Sequence, residues 1–274
     1  MSTTPDPPAP APRLRQRRIV GVSTKMYFSA ARTASFVNAL LTLLAAPDAH
    51  PLLDTIDIFI VPDHVALTAA VAQVVAAGQK VLVGAQNCHA EDAGAFTGEV
   101  SPAVLAEVGC ALVELGHAER RRLFGETDAS TAGKAAAVVR NGMVPLVCVG
   151  EVTRGGGVAV AVEEVLGQVR SVLEAVPEDA EVVLAYEPVW AIGASEPAPV
   201  GHVCEVVRRV RESEEVKGRE GATRIVYGGS AGPGLFARLG GEVDGLFLGR
   251  FAHDPGQFYK TLCEVAEAPR LRES

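Results

Sequence analysis

Two textures alternate along this chain, and their alternation is the first structural signal. Short, mostly apolar runs rich in β-branched residues stand near 19–23, 56–61, 80–84, 111–115, 144–149, 182–186, 224–227 and 244–248. Each has the length of a strand, and a run such as VPLVCV, with no polar face, suits a strand buried on both sides in a parallel sheet. Between them, at 31–44, 63–76, 131–140, 159–175 and 199–214, apolar positions return every three or four residues, as on one face of a helix. Shorter helical stretches are expected near 102–108 and 233–239. Repeated strand-then-helix units of this kind predict an α/β fold closed into a single-domain (β/α)8 barrel. An open doubly wound sheet competes with it, but the turn after the first run reads GVSTKM and lacks the G-x-G-x-x-G fingerprint of that architecture.

Composition narrows the picture. A length of 274 residues fits one barrel, and 48% hydrophobic against 21% charged residues supplies a sizeable core. Net charge is -8 with no long Lys/Arg run, which argues against a nucleic-acid surface and a polybasic membrane anchor. No apolar run reaches the length of a bilayer span. Five cysteines without a CxxC pair read as reduced thiols of a cytosolic protein, and no Cys/His spacing suggests a metal. Residues 1–17, rich in Pro, Ala and Arg and without an apolar signal core, read as a flexible tail before a barrel domain at 18–274.

In such barrels the reacting groups gather at the carboxyl ends of the strands. Reading just past each strand gives Ser23 and Lys25, Gln86 and Asn87, His117 and Glu119, Glu151, Glu187, Ser230, and Gly249 with Arg250. Glu187, in AYEPVWAIG, would be desolvated beside Trp190 and Ile192 and so become a stronger base; a strand-end Glu paired with an arginine is the plainer alternative. His117, in ELGHAERR, sits where a helix should start, a position that favours a neutral imidazole able to donate to a carbonyl oxygen. The Lys25 ammonium could offset charge on a phosphate and an enediolate. Turns at Gly193, GGS 228–230 and LGR 248–250 could present backbone amides to a phosphate. Glu119 and Arg121 read as orienting partners, and Cys148 as packing.

Taken together, ELGHAERR at 114–121, CVGE at 148–151, AYEPVWAIG at 185–193 and YGGS at 227–230, with GAFTGEVSP at 94–102, resemble the triosephosphate isomerase family from about Ile19 to the last helix. The resemblance implies a TIM barrel in which His117 is the electrophile, Glu187 the base and Lys25 the substrate-binding lysine. A Glu base with a neutral histidine is the pairing for which that enzyme is known. It further implies a lid at 188–198 helped shut by Tyr227 and Ser230, and phosphate contacts from Gly193, Ser230, Gly249 and Arg250. It also implies a cytoplasmic homodimer whose loop carrying Thr97 and Glu99 enters the neighbouring subunit.

Three positions depart from the family pattern. Ser23 stands where an asparagine is usual, Arg250 where a second phosphate-loop glycine is usual, and the lid ends in GASEPA in place of GTGKTA. Ser23 and the Gly-Arg pair resemble the tetrulose-phosphate isomerase branch, which shifts the carbonyl of a four-carbon phosphate. The leading expectation is interconversion of glyceraldehyde 3-phosphate and dihydroxyacetone phosphate, with no metal or organic cofactor. An erythrulose-phosphate isomerase is the alternative, and a non-catalytic sensing barrel the third reading.

Overall fold

Each apolar run becomes a strand in the computed structural model, which describes residues 17–193, 198–229 and 232–269. The strands are β1 (Arg18–Ser23), β2 (Ile56–Val61), β3 (Val81–Ala85), β4 (Leu112–Leu115), β5 (Val144–Val149), β6 (Val182–Tyr186), β7 (Thr223–Tyr227) and β8 (Gly245–Leu248). Neighbours pair in parallel and β8 closes on β1, so the expected eight-stranded barrel is the observed one. Alternation along the strands makes two cores. Ile19, Phe59, Leu112, Leu146, Val183, Val226 and Phe247 fill the barrel interior. Their neighbours, among them Val20, Ile58, Val113, Val147 and Leu184, pack outward against the helices.

The helices are α1 (Ala30–Ala45), α2 (Leu67–Ala77), α3 (Pro102–Glu107), α4 (Ala118–Phe124), α5 (Asp128–Arg140), α6 (Gly157–Leu173), α7 (Val200–Glu212), α8 (Glu214–Lys217), α9 (Leu235–Arg238) and α10 (Pro255–Glu267). In α1 the buried residues Thr33, Phe36, Val37, Leu40 and Leu41 keep the helical spacing, and the Ser29 side chain caps the first turn by accepting from the Arg32 amide. Some boundaries differ from expectation for local reasons. α5 starts at Asp128, ahead of 131, because Thr127 and Ser130 form a reciprocal capping box. The stretch at 199–214 breaks at Ser213, whose extended backbone ends α7. Asp63 caps a short 3-10 turn at His64–Ala66 before α2 begins.

Inside the barrel's amino end, buried Arg224 of β7 lies 2.7 Å from Asp57 of β2 and 2.7 Å from Glu181. Arg17 stands 3.6 Å from Asp57 and donates to the Ile56 carbonyl, so the chain is anchored there; residues 1–16 of the expected tail lie outside the described residues. All five cysteines are free thiols, three of them buried. No helix among the described residues is long and apolar enough to cross a membrane.

Candidate active site

At the carboxyl end of the barrel, a cavity of about 660 Å³ is lined by Ser23, Lys25, Glu114, His117, Glu119, Glu187, Gly193, Gly228, Gly229, Gly249 and Arg250. Of the residues singled out from the sequence, Ser23, Lys25, His117, Glu119, Glu187, Gly193, Gly249 and Arg250 line this mouth, Gln86, Asn87 and Glu151 do not line it, and Ser230 lies outside the described residues.

Lys25 leaves β1 with φ 45°, a left-handed conformation no other non-glycine described residue adopts. Such torsions cost on the order of 1–3 kcal/mol and persist only where the surroundings fix them. Here the Thr24 amide donates to the Val61 carbonyl, and the Gln86 side chain donates to the Lys25 carbonyl at 2.9 Å. The strained turn aims the ammonium inward, where it donates to Glu119 Oε1 at 2.9 Å. Burial pulls the Lys25 pKa down, but Glu119, Glu187 and Glu114 more than offset this and the group sits above its ordinary value.

His117 is the N-cap of α4, held at the end of a tight corner. Gly116, with φ 65°, makes that corner, and a Cβ there would meet Thr131 and Arg121. The Glu119 amide donates to His117 Nδ1 at 3.1 Å, so in the neutral ring the proton rides on Nε2. Nε2 in turn stands 3.3 Å from Lys25 Nζ and 3.6 Å from Glu187 Oε2. Burial first, and the Lys25 charge second, push the imidazole down to about 4. It is neutral at physiological pH and points a single N–H into the cavity.

Glu187 follows β6 and is pushed up to about 8, mainly by burial, with Glu114 and Glu119 adding and Lys25 opposing. Its backbone lies so close to β5 that a Cβ on Gly150 would collide with the Glu187 carbonyl, which explains the glycine of CVGE. No arginine pairs with Glu187 among the described residues, so the plainer alternative for this carboxylate does not hold.

Two carboxyls gain roles that the sequence reading did not give them. Glu151, fully buried, accepts from Trp190 Nε1 at 2.9 Å, Tyr186 OH at 3.1 Å and His202 Nε2 at 2.8 Å, tying the start of the lid to α7. The lid's residues 194–197 lie outside the described residues. Glu114 of β4, 4% exposed, accepts from Ser23 Oγ at 3.1 Å and is pushed up to about 7 by burial, against Lys25 and Ser23. Glu151 could have been found from CVGE once that motif was put next to the lid. For Glu114 the signal was a charged residue in an otherwise apolar strand, ALVEL.

In the turns after β6 and β8, Gly193 has φ 72°, and Gly249 and exposed Arg250 lead into a 3-10 turn at Arg250–His253. Arg250 makes no hydrogen bond or ion pair among the described residues. Thr97 and Glu99 are exposed on a loop closed at its base by the His89 amide donating to the Val100 carbonyl at 2.8 Å.

A buried carboxyl of raised pKa, a neutral N–H donor and an ammonium around one cavity are the parts needed to move a carbonyl through an enediolate. The triosephosphate isomerase family model matches residues 18–266. The chain belongs to the triosephosphate isomerase family. It is an isomerase. An L-erythrulose-1-phosphate isomerase of Pectobacterium atrosepticum is 45% identical over 251 residues, covering 90% of this chain and 95% of that protein. One of Rhizobium meliloti is 38% identical over 256 residues, with 91% and 97% covered. A triosephosphate isomerase of Aquifex aeolicus is 35% identical over 249 residues, with 89% and 98% covered.

Proposed function

We propose that this member of the triosephosphate isomerase family isomerises L-erythrulose 1-phosphate by shifting its carbonyl one carbon along the chain. This reverses the leading expectation of a triose substrate. What carries the change is Ser23, whose hydroxyl is turned to Glu114 where the family's usual asparagine would offer a carboxamide. The identity to relatives named for the four-carbon substrate supports it.

The chemistry follows from the substrate. The carbonyl at carbon 2 acidifies carbons 1 and 3, but carbon 1 carries the phosphate ester and no free hydroxyl, so deprotonation there gives no enediol through which the carbonyl could move. Proton removal from carbon 3 by Glu187 leads to an enediolate spanning carbons 2 and 3, and return of the proton to carbon 2 leaves the carbonyl at carbon 3. Throughout, His117 Nε2–H and the Lys25 ammonium face the two oxygens that exchange charge. The neutral imidazole, held down at about 4, serves as a donor matched to an enediol. Gly193, Gly249 and Arg250, with Ser230, take the phosphate. The scheme calls for no metal or organic cofactor.

A homodimer belongs to the same reading. Met26 and Tyr27, next to Lys25, are 88% and 54% exposed, and the Phe96 ring lies tilted against His89, 4.1 Å between centroids, in the loop that carries Thr97. A neighbouring loop laid over Met26 and Tyr27 would shield the lysine. Sedimentation of the purified chain should give a dimer, and a fully active monomer would remove this part.

Side-by-side assays decide the substrate. L-erythrulose 1-phosphate should be turned over with the higher kcat/KM, and a higher value with dihydroxyacetone phosphate would return the triose reading.

A further inference from the structure

Burying a carboxyl in a barrel interior is costly unless it is paired or hydrogen-bonded. At the amino end of this barrel Asp57 meets that cost through Arg224 at 2.7 Å. Glu114, near the carboxyl end, has no cation within ion-pair distance among the described residues, and Lys25 acts on it only from farther off. Its one hydrogen bond among the described residues comes from Ser23 Oγ to Oε2 at 3.1 Å. A carboxyl has two oxygens with accepting capacity on each, and Oε1 is left without a hydrogen-bond partner on a side chain that lines the cavity.

Position says what that oxygen faces. The phosphate turns follow β6, β7 and β8, and in a closed ring of eight strands β4 stands opposite β8. A substrate whose phosphate is held at Gly249 therefore points its other end toward β4. The enediol of a four-carbon substrate differs from the triose enediol by one group, a hydroxymethyl replacing a hydrogen on the carbon farther from the phosphate. The floor around Glu114 is otherwise apolar or sulfur-bearing, with Leu112, Leu146 and Cys148.

Resting on the four-carbon reading above, we propose that Glu114 is a specificity-determining residue that binds the terminal hydroxymethyl of the substrate through its free carboxyl oxygen, with Ser23 as the positioning residue that holds it. The small side chain of Ser23 opens the volume and its hydroxyl orients the carboxyl, so the two substitute together for one carboxamide. Glu114 is pushed up to about 7, so near neutrality the carboxyl can either accept from the hydroxyl or donate to it. A triose, with no hydroxymethyl at that carbon, gains nothing from the contact.

Glu114→Gln keeps the shape of the side chain and removes its ability to ionise. With both substrates assayed on wild type and variant, the ratio of kcat/KM for L-erythrulose 1-phosphate to that for dihydroxyacetone phosphate should fall about fivefold or more, the difference between a hydrogen bond to an ionisable carboxyl and one to a neutral amide. The loss should lie mostly in KM. Ser23→Ala, which keeps the carboxyl but frees it, should move the ratio in the same direction by a smaller factor, and it carries the test if Glu114→Gln does not fold. Equal losses on the two substrates would overturn the role of Glu114 and leave the four-carbon reading standing. A wild-type enzyme with no activity on L-erythrulose 1-phosphate would remove that reading, and this proposal with it.

Discussion

The two ends of the barrel are made from the same ingredients and treat them in opposite ways. At the amino end, Arg224 sits between Asp57 and Glu181, each at 2.7 Å, with Arg17 close by. Opposite charges there are matched and locked. At the carboxyl end, the single ammonium of Lys25 faces Glu119, Glu187 and Glu114, and it is hydrogen-bonded only to the first among these carboxylates. The two carboxyls left over are pushed up to about 8 and about 7, while the His117 imidazole beside Glu187 is pushed down to about 4. Pairing a buried charge makes it inert; leaving it short of partners makes it ready to exchange a proton. The contrast teaches that stability and chemistry are divided along the barrel axis, and substitutions should respect that division.

The largest effect is expected at the mouth. Glu187→Asp withdraws the base by one methylene, and proton transfer depends on near contact, so kcat should fall on the order of 10²–10³-fold while KM moves little. Steady-state kinetics check it, and an unchanged kcat would take Glu187 out of the base role. Next comes the opposite end. Arg224→Ala strands two partly buried carboxylates and should cost about 2–4 kcal/mol of stability with kcat per folded molecule nearly unchanged, read from denaturant melts and active-site-normalised rates. A large loss of kcat at full folding would break the division between the two ends. His117→Gln should lower kcat on the order of 10²-fold, since one donor to the developing oxyanion is lost, with the melting temperature retained. Collapse of the fold would make this histidine structural. Smallest is Arg250→Gly: an exposed cation is screened, so kcat/KM for the phosphorylated substrate should fall by a factor of about five, and more at low salt than at high salt.

The fold was readable in the sequence because parallel strands buried on both sides write long apolar runs, and helices packed on a barrel write a strong three-to-four period. Boundaries moved where a single polar side chain outweighed the period, as at Thr127 and Asp63. Lys25, His117 and Glu187 were readable because each is a polar residue directly after a strand, inside a motif. Glu114 was harder to see. It lies within the strand, and only the closing of β1 and β4 around one interior brings it to Ser23, which is 91 residues away. Glu151 was placed at the mouth by its position, but its job depends on Trp190 and His202, and no local pattern links the three. The triose substrate was expected from the shared machinery, which does not distinguish three carbons from four; the role proposed for Glu114 assigns that distinction to the floor of the pocket.

Burial is what sets Glu187 apart from an ordinary surface carboxylate, and it also fixes a sign. With its folded pKa raised from 4.5 to about 8, its contribution to stability is fully present below about 4.5 and is lost as pH rises through about 8, so the ionised carboxylate is held at the expense of the fold. The side chain can be observed directly by carbon-13 NMR of protein labelled at the glutamate carboxyls, with Glu187→Gln identifying its resonance. Titration of the free protein should show that signal moving with a midpoint near 8, well above the other glutamates except Glu114. A Glu187 midpoint near 4.5 would mean that the mouth leaves its base solvated, and the contrast between the two ends of the barrel would not hold.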